Sequence, residues 1–147
     1  MRSRNDETPH EKASWFGRGG VHYYRAVVAG VIGGIVEFGN AFVRYNTLSK
    51  TVQNGCRYAV TDIYGTSNSD SIALVADIKN MVVYGNKAGT GTPLLTTLTV
   101  DDVTVTHADK FVVVSASYDY VPLLNILPDA LLANIVLSSS AVMRTTL

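Results

Sequence analysis

From Ile35 onward the chain repeats apolar side chains at helical spacing: Ile35, Phe38, Phe42, Tyr45, Val52, Cys56 and Ala59 fall three, four or seven residues apart. Glu37, Asn40, Arg44, Thr47 and Thr51 fall on the other side, so the stretch predicts one amphipathic helix from Gly34 to Val60. At 1.5 Å per residue that helix is ~40 Å long, which suits an assembly element better than a compact core. "YGTSNSDS" at 64–71 then breaks the pattern with turn formers, and Ser69 or Ser71 offers a cap for a second helix, "SIALVADIKNMVVYG", ending at Gly85. After the loop "NKAGTGTP" the period becomes two. "TVDDVTVTH" alternates Val103, Val105 and His107 against Thr104 and Thr106, and "KFVVVSASYDYVPL" is rich in β-branched and aromatic residues, with "ADK" joining the two as a hairpin. The connection "YVPLLNILPDALLAN" keeps Pro122 and Pro128 out of any strand ladder, and "NIVLSSSAVMRTTL" supplies a third strand. The expected fold is α+β: a long helix, a short helix, then a three-stranded antiparallel sheet whose apolar face covers the helix stripe.

Composition narrows the class. The chain has 147 residues, 47% hydrophobic and 16% charged, enough to bury one core and too short for two ordinary domains. Residues 1–20 carry seven charged residues and little apolar periodicity, which reads as a solvated tail. The uncharged run from Ala26 to Val36 is shorter than the ~20 apolar residues a membrane helix needs, so no sound spanning helix is expected from it. Twelve basic residues balance twelve acidic ones, leaving no net field for a phosphate backbone; nucleic acid is excluded as a partner. One cysteine, Cys56, forms neither an internal disulfide nor a cysteine metal site, and its place on the stripe makes it a small buried helix residue.

Signs of catalysis are thin. His107 is the one histidine beyond the first 33 residues and shares its predicted strand with Asp101 and Asp102. Cys56 and His107 are a nucleophile and base for a small hydrolase only if the fold joins them. "GNKAGTGTP" lacks the Lys-Ser/Thr of a phosphate-binding loop, and "VDDV" in a strand sends its carboxylates to opposite faces, unsuited to a shared metal. No enzyme activity, cofactor or metal is expected. A soluble binding module that accepts a partner strand at its sheet edge is the alternative to an assembly role.

"GIVEFGNAFVRYNTLSKTVQNGCRYAV" resembles the helix of TadE-like proteins, the pseudopilins or minor pilins of tight-adherence (Flp) pilus systems, in its EFG segment and its "GCRYA". "IKNMVVYG", "VTVTH", "FVVVSASYDYVPLLNILP" and "SSSAVMR" are similar, in order, to that family's second helix, strand pair and closing strand. The resemblance covers about residues 33–147. It implies a pilin-like domain over 34–147 and a pseudopilin or minor pilin that helps assemble a type IV pilus. It also implies an inner-membrane or pilus location with the domain in the periplasm. Other pilin-like subunits and inner-membrane pilus assembly proteins are the implied partners. On this view Ile35, Phe38, Phe42, Tyr45 and Val52 pack in the assembly, while Glu37, Asn40 and Arg44 form the polar helix face. Glu37 is expected to pair there with Arg44 or Asn40 in an exposed contact worth at most ~1 kcal/mol.

Residues 1–33 depart from the family's leader, which opens with basic residues, a glycine at the prepilin peptidase cut and a glutamate at the fifth mature position. Glu37 is no substitute, because Ile32 stands five before it. A shifted reading frame over the first 33 or so residues is one account of the departure, and a divergent soluble N-terminus is the other. Trp15 (codon TGG) followed by Phe16 must read as glycine one base later, and Glu11 and Lys12 must each read as lysine or arginine. The shifted frame then permits an apolar run with glutamate in the register of Gly20. With that leader restored, prepilin peptidase becomes a further partner.

Overall fold

The structure, a computed structural model, describes residues 13–62, 72–124 and 135–145, with side chains from His22 onward. Helix α1 runs unbroken from Ala13 to Thr61, 49 residues and ~74 Å at the helical rise. It starts well before the expected Gly34. Gly30, Gly34 and Gly39 do not interrupt it; nothing approaches the position of a side chain at any of them, so they are conformational cost without packing gain inside this chain. The segment His22–Thr61 is long and apolar enough to cross a membrane, as an anchor or a signal sequence does. This corrects the expectation from the Ala26–Val36 run alone, which stopped at a glutamate that the fold shelters.

Helix α2, Val75–Tyr84, begins later than expected, after Leu74, with no side-chain cap. The expected caps Ser69 and Ser71, the turn at 64–71 and Pro128 lie outside the described residues, as do residues 1–12 of the solvated tail expected over 1–20; residues 13–20 of that tail instead form the first turns of α1. Ile72 and Ala73, just before α2, are buried, and the Ala73 amide donates to the Ala59 carbonyl at 3.0 Å. The helix stops at Gly85, whose φ of 73° is the left-handed cap that glycine adopts at little cost. Strands β1 (Val103–Ala108), β2 (Phe111–Asp119) and β3 (Val136–Arg144) form one antiparallel sheet in that order. Ala108 pairs with Phe111 across a two-residue turn, where Asp109 holds φ 53°, a conformation aspartate tolerates.

Two carboxylates move out of the sheet. Asp101 and Asp102 sit in a short 3-10 turn, Val100–Asp102, instead of the predicted strand. There the Asp102 carboxylate accepts the Thr99 amide at 2.8 Å and the Thr99 hydroxyl at 2.7 Å, so local hydrogen bonding outcompetes the strand ladder.

The core lies between α1, α2 and the inner face of the sheet. Leu48, Val52, Cys56 and Ala59 of α1 meet Val112, Val114, Ala116 and Tyr118 of β2, with Leu137, Ala141 and Met143 of β3 packed around them. Where α1 and α2 cross, Gly55 sets the approach: a Cβ there would stand 2.3 Å from Val82 Cγ2. Gly55→Ala is therefore expected to lower unfolding free energy by about 1–3 kcal/mol through overpacking. Val82→Ala in the same chain should recover part of that loss. Denaturant titration of the four chains measures it, and a Gly55→Ala protein as stable as wild type contradicts the crossing.

Candidate functional site: the polar seam between helix and sheet

One row of positions on α1 faces the rest of the fold along its whole contact: 37, 40, 44, 48, 52, 56 and 59, each three or four beyond the last. Its C-terminal half is apolar. Its N-terminal half is Glu37, Asn40 and Arg44, and it is met by the tyrosines that end β2.

Glu37 is 5% exposed. Tyr120 donates its hydroxyl to Glu37 Oε2 at 2.6 Å, and the Leu124 amide donates to Oε1. Asn40 Nδ2 donates to the Tyr120 hydroxyl oxygen at 3.0 Å, so that one oxygen ties together two turns of the helix. Arg44 Nη1 donates to the Tyr118 hydroxyl at 2.6 Å and to Thr96 Oγ1 at 3.3 Å, with its guanidinium 6.0 Å from the centre of the Tyr120 ring. The strand places these groups by alternation: Tyr118 and Tyr120 are two residues apart and therefore share the inner face. Burial, and after it the bond to the Glu37 carboxylate, raise the Tyr120 pKa above the usual tyrosine value.

The expectation of an exposed pairing between Glu37 and Arg44 or Asn40 is corrected. Glu37 is buried, its bonds come from Tyr120 and the Leu124 backbone, and Asn40 reaches it only through the Tyr120 hydroxyl. The polar side of the helix faces the domain at this level. The apolar side faces out: Ile35 is 67% exposed, Phe38 75%, Phe42 57% and Tyr45 42%. Of the expected stripe, Val52, Cys56 and Ala59 meet the strands and those four do not. The spacing missed this because both rows keep helical periodicity from residue 35 to 59, and hydrophobicity points to the wrong one where the sheet offers hydroxyls.

Cys56 and His107 are not joined. The thiol is fully buried and lies 3.7 Å from the Val112 carbonyl oxygen and 3.6 Å from that of Ala141, as a donor to either. His107 is half-buried on β1, and its Nε2 has no hydrogen-bond partner among the described residues. Among the described residues no three His, Cys, Asp or Glu side chains cluster as metal ligands would.

No family model, curated protein or solved structure matches the chain.

The seam should behave as one unit. Tyr120→Phe strips a bond from both Glu37 and Asn40 and is expected to cost about 1–3 kcal/mol, as is Glu37→Gln. The double variant should cost less than the two together, by about 0.5–3 kcal/mol. Denaturant unfolding in detergent measures all four corners, and strict additivity contradicts the contact. The pH dependence has a fixed sign: a folded-state pKa raised above the unfolded value contributes stability that is complete below the ordinary tyrosine range and lost as pH climbs through the raised value. Wild type should therefore lose stability above pH ~10 more steeply than Tyr120→Phe does.

Proposed function

We propose that the chain is a membrane-anchored assembly subunit of the pseudopilin or minor pilin type, as its resemblance to TadE-like proteins implies. One observation carries the reading: α1 extends far beyond the globular fold as an apolar helix whose side chains contact nothing else described. From His22 to Ala29 every described residue is exposed, among them Tyr23, Tyr24, Val27 and Val28, followed by Val31 and Ile32. Leaving that much apolar surface in water is costly at ~25 cal/mol per Å², so it argues for lipid around the helix or for neighbouring subunits beside it. An anchored helix with a small sheet domain at its far end fits a bacterial inner-membrane protein whose domain lies in the periplasm. Chemistry is not needed for that role: the parts of this site hold a helix against a sheet, and burial between subunits supplies the driving force.

Fractionation of cells expressing the full chain tests the anchor. Wild type should remain in the membrane pellet through alkaline carbonate extraction. Val28→Asp with Ile32→Asp, both at exposed positions, should move it to the soluble fraction without changing its strand circular dichroism. A wild-type chain in the soluble fraction contradicts the reading. The assembly half is tested by photo-cross-linkers at Phe38 and Phe42, which should capture pilin-like subunits in the native organism; capture of none contradicts it.

A further inference from the structure

We propose that the outer row of α1 is a coiled-coil seam for a second copy of this chain, so that two α1 helices run side by side, parallel and in register, from Tyr24 to Tyr45. The pairing deepens the assembly role just proposed and rests on it for one thing: both helices enter one membrane in the same direction.

The row keeps a strict seven-residue repeat. Tyr24, Val28, Val31, Ile35, Phe38, Phe42 and Tyr45 stand four and three residues apart in turn, and every one of them is exposed. Shifted by one position, the row meets Arg25, Gly39 and Asn46 on one side, or Gly30, Gly34, Glu37 and Arg44 on the other. Only the unshifted row is bulky and apolar throughout. A straight helix drifts by about 20° per heptad against such a repeat, so holding it from 24 to 45 favours a left-handed supercoil with a partner helix. Beyond Tyr45 the same spacing continues through Ser49, Val52, Cys56 and Ala59, where this chain's own sheet takes the partner's place. Ser139 donates its hydroxyl to Ser49 at 3.1 Å, and the other three are core. The exposed seam is therefore continuous with an interface that the fold already fills.

What fits this row is the same helix. In a parallel two-stranded coil each seam side chain enters a hole formed by four residues of the facing helix. For Phe38 the hole consists of Ile35, Phe38, Gly39 and Phe42 in the second copy; the hole for Ile35 has Gly34 as its flank, and that for Phe42 has Ala41. Bulky knobs thus face the smallest flanks. Among the described residues nothing approaches a side-chain position at Gly34 or Gly39, so their missing side chains make room for a neighbour outside the chain. Small residues at such flanks let helices approach closely in lipid as well as in water. A matched pair sets each seam residue against itself, and the seam carries no charge, so self-pairing opposes no like charges. β-Branched Val28 and Ile35 at alternate seam positions favour two strands over more. At about 150–250 Å² for a whole aromatic side chain, the four aromatics offer roughly 500 Å² of the ~800 Å² per partner in a standard interface, and Val28, Val31 and Ile35 supply most of the rest.

Disulfide cross-linking of the full chain tests this, read separately in the membrane pellet and the soluble fraction of expressing cells. The wild-type chain, whose one thiol is buried, is the blank. Single cysteines replace Ile35, Phe38 or Phe42 on the seam, and Val36 or Val43 at exposed positions beside it. Mild oxidation should link most of the chain into a dimer at the three seam positions and little of it at the other two. Equal linking at Val36 and Val43 overturns the seam, and a link at Ile35 alone, as an antiparallel pair would give, overturns the parallel register. No link at any seam position in a membrane-held chain overturns the pairing and keeps the anchor. Seam-specific links in the soluble fraction keep the pairing and overturn the anchor. Gly39→Leu fills the hole for Phe38 and should weaken the dimer about tenfold or more in sedimentation equilibrium in detergent micelles. Its strand circular dichroism should not change, because nothing described in the chain meets that position. A Gly39→Leu chain that dimerises as tightly as wild type, or a wild-type chain that sediments as a monomer or a trimer, overturns the proposal.

Discussion

A buried carboxylate has to be supplied with hydrogen bonds, and here the end of one β-strand supplies them to one helix. The Tyr120 hydroxyl sits between Glu37 and Asn40, donating to the first and accepting from the second. Because Tyr118 in β2 and Tyr120, one residue past its end, both turn to the core side, the chain that fills the core with Val112, Val114 and Ala116 ends in groups that need polar partners. The helix answers in kind. Its contact row changes from apolar to polar where the strand does, between Leu48 and Arg44. This polar match fixes the sheet's height along a helix whose apolar surface alone would permit sliding.

The consequence is an inverted helix. Over residues 35–45 the polar side chains are shielded and the apolar ones exposed, the reverse of a helix on a water-soluble domain. Such a surface is stable only beside something apolar. The seam also shelters Glu37, one of the two charges in a helix that is long and apolar enough to cross a membrane. Packing, electrostatics and the proposed anchor are thus parts of one arrangement. Loss of Tyr120 would free the Glu37 charge as well as loosen the domain.

Much of the fold was legible in the chain. The β1–β2 hairpin showed itself because Val103 and Val105 alternate with Thr104 and Thr106, and a strand with one buried face must repeat every second residue. The Gly85 stop and the third strand were readable for equally local reasons. The misreadings have long-range causes. Nothing near Glu37 in sequence announces Tyr120, 83 residues away, so the helix surface facing the domain could not be told from the one facing out. Asp101 and Asp102 looked like strand residues because the Thr99 cap that claims Asp102 competes with the alternation. The helix start was misplaced because glycines argue against a helix locally, while an unbroken run of backbone hydrogen bonds on either side carries it through.

The inverted helix is tested most directly by nuclear Overhauser contacts from the Tyr120 ring in the full chain, selectively labelled at tyrosine and phenylalanine, in lipid nanodiscs. Cross-peaks from that ring to the side chains of Glu37, Asn40 and Arg44, with none to Phe38 or Phe42, are the predicted result. Contacts from Tyr120 to Phe38 or Phe42, with Glu37 exchanging freely with water, would show the apolar row facing the sheet and contradict the account.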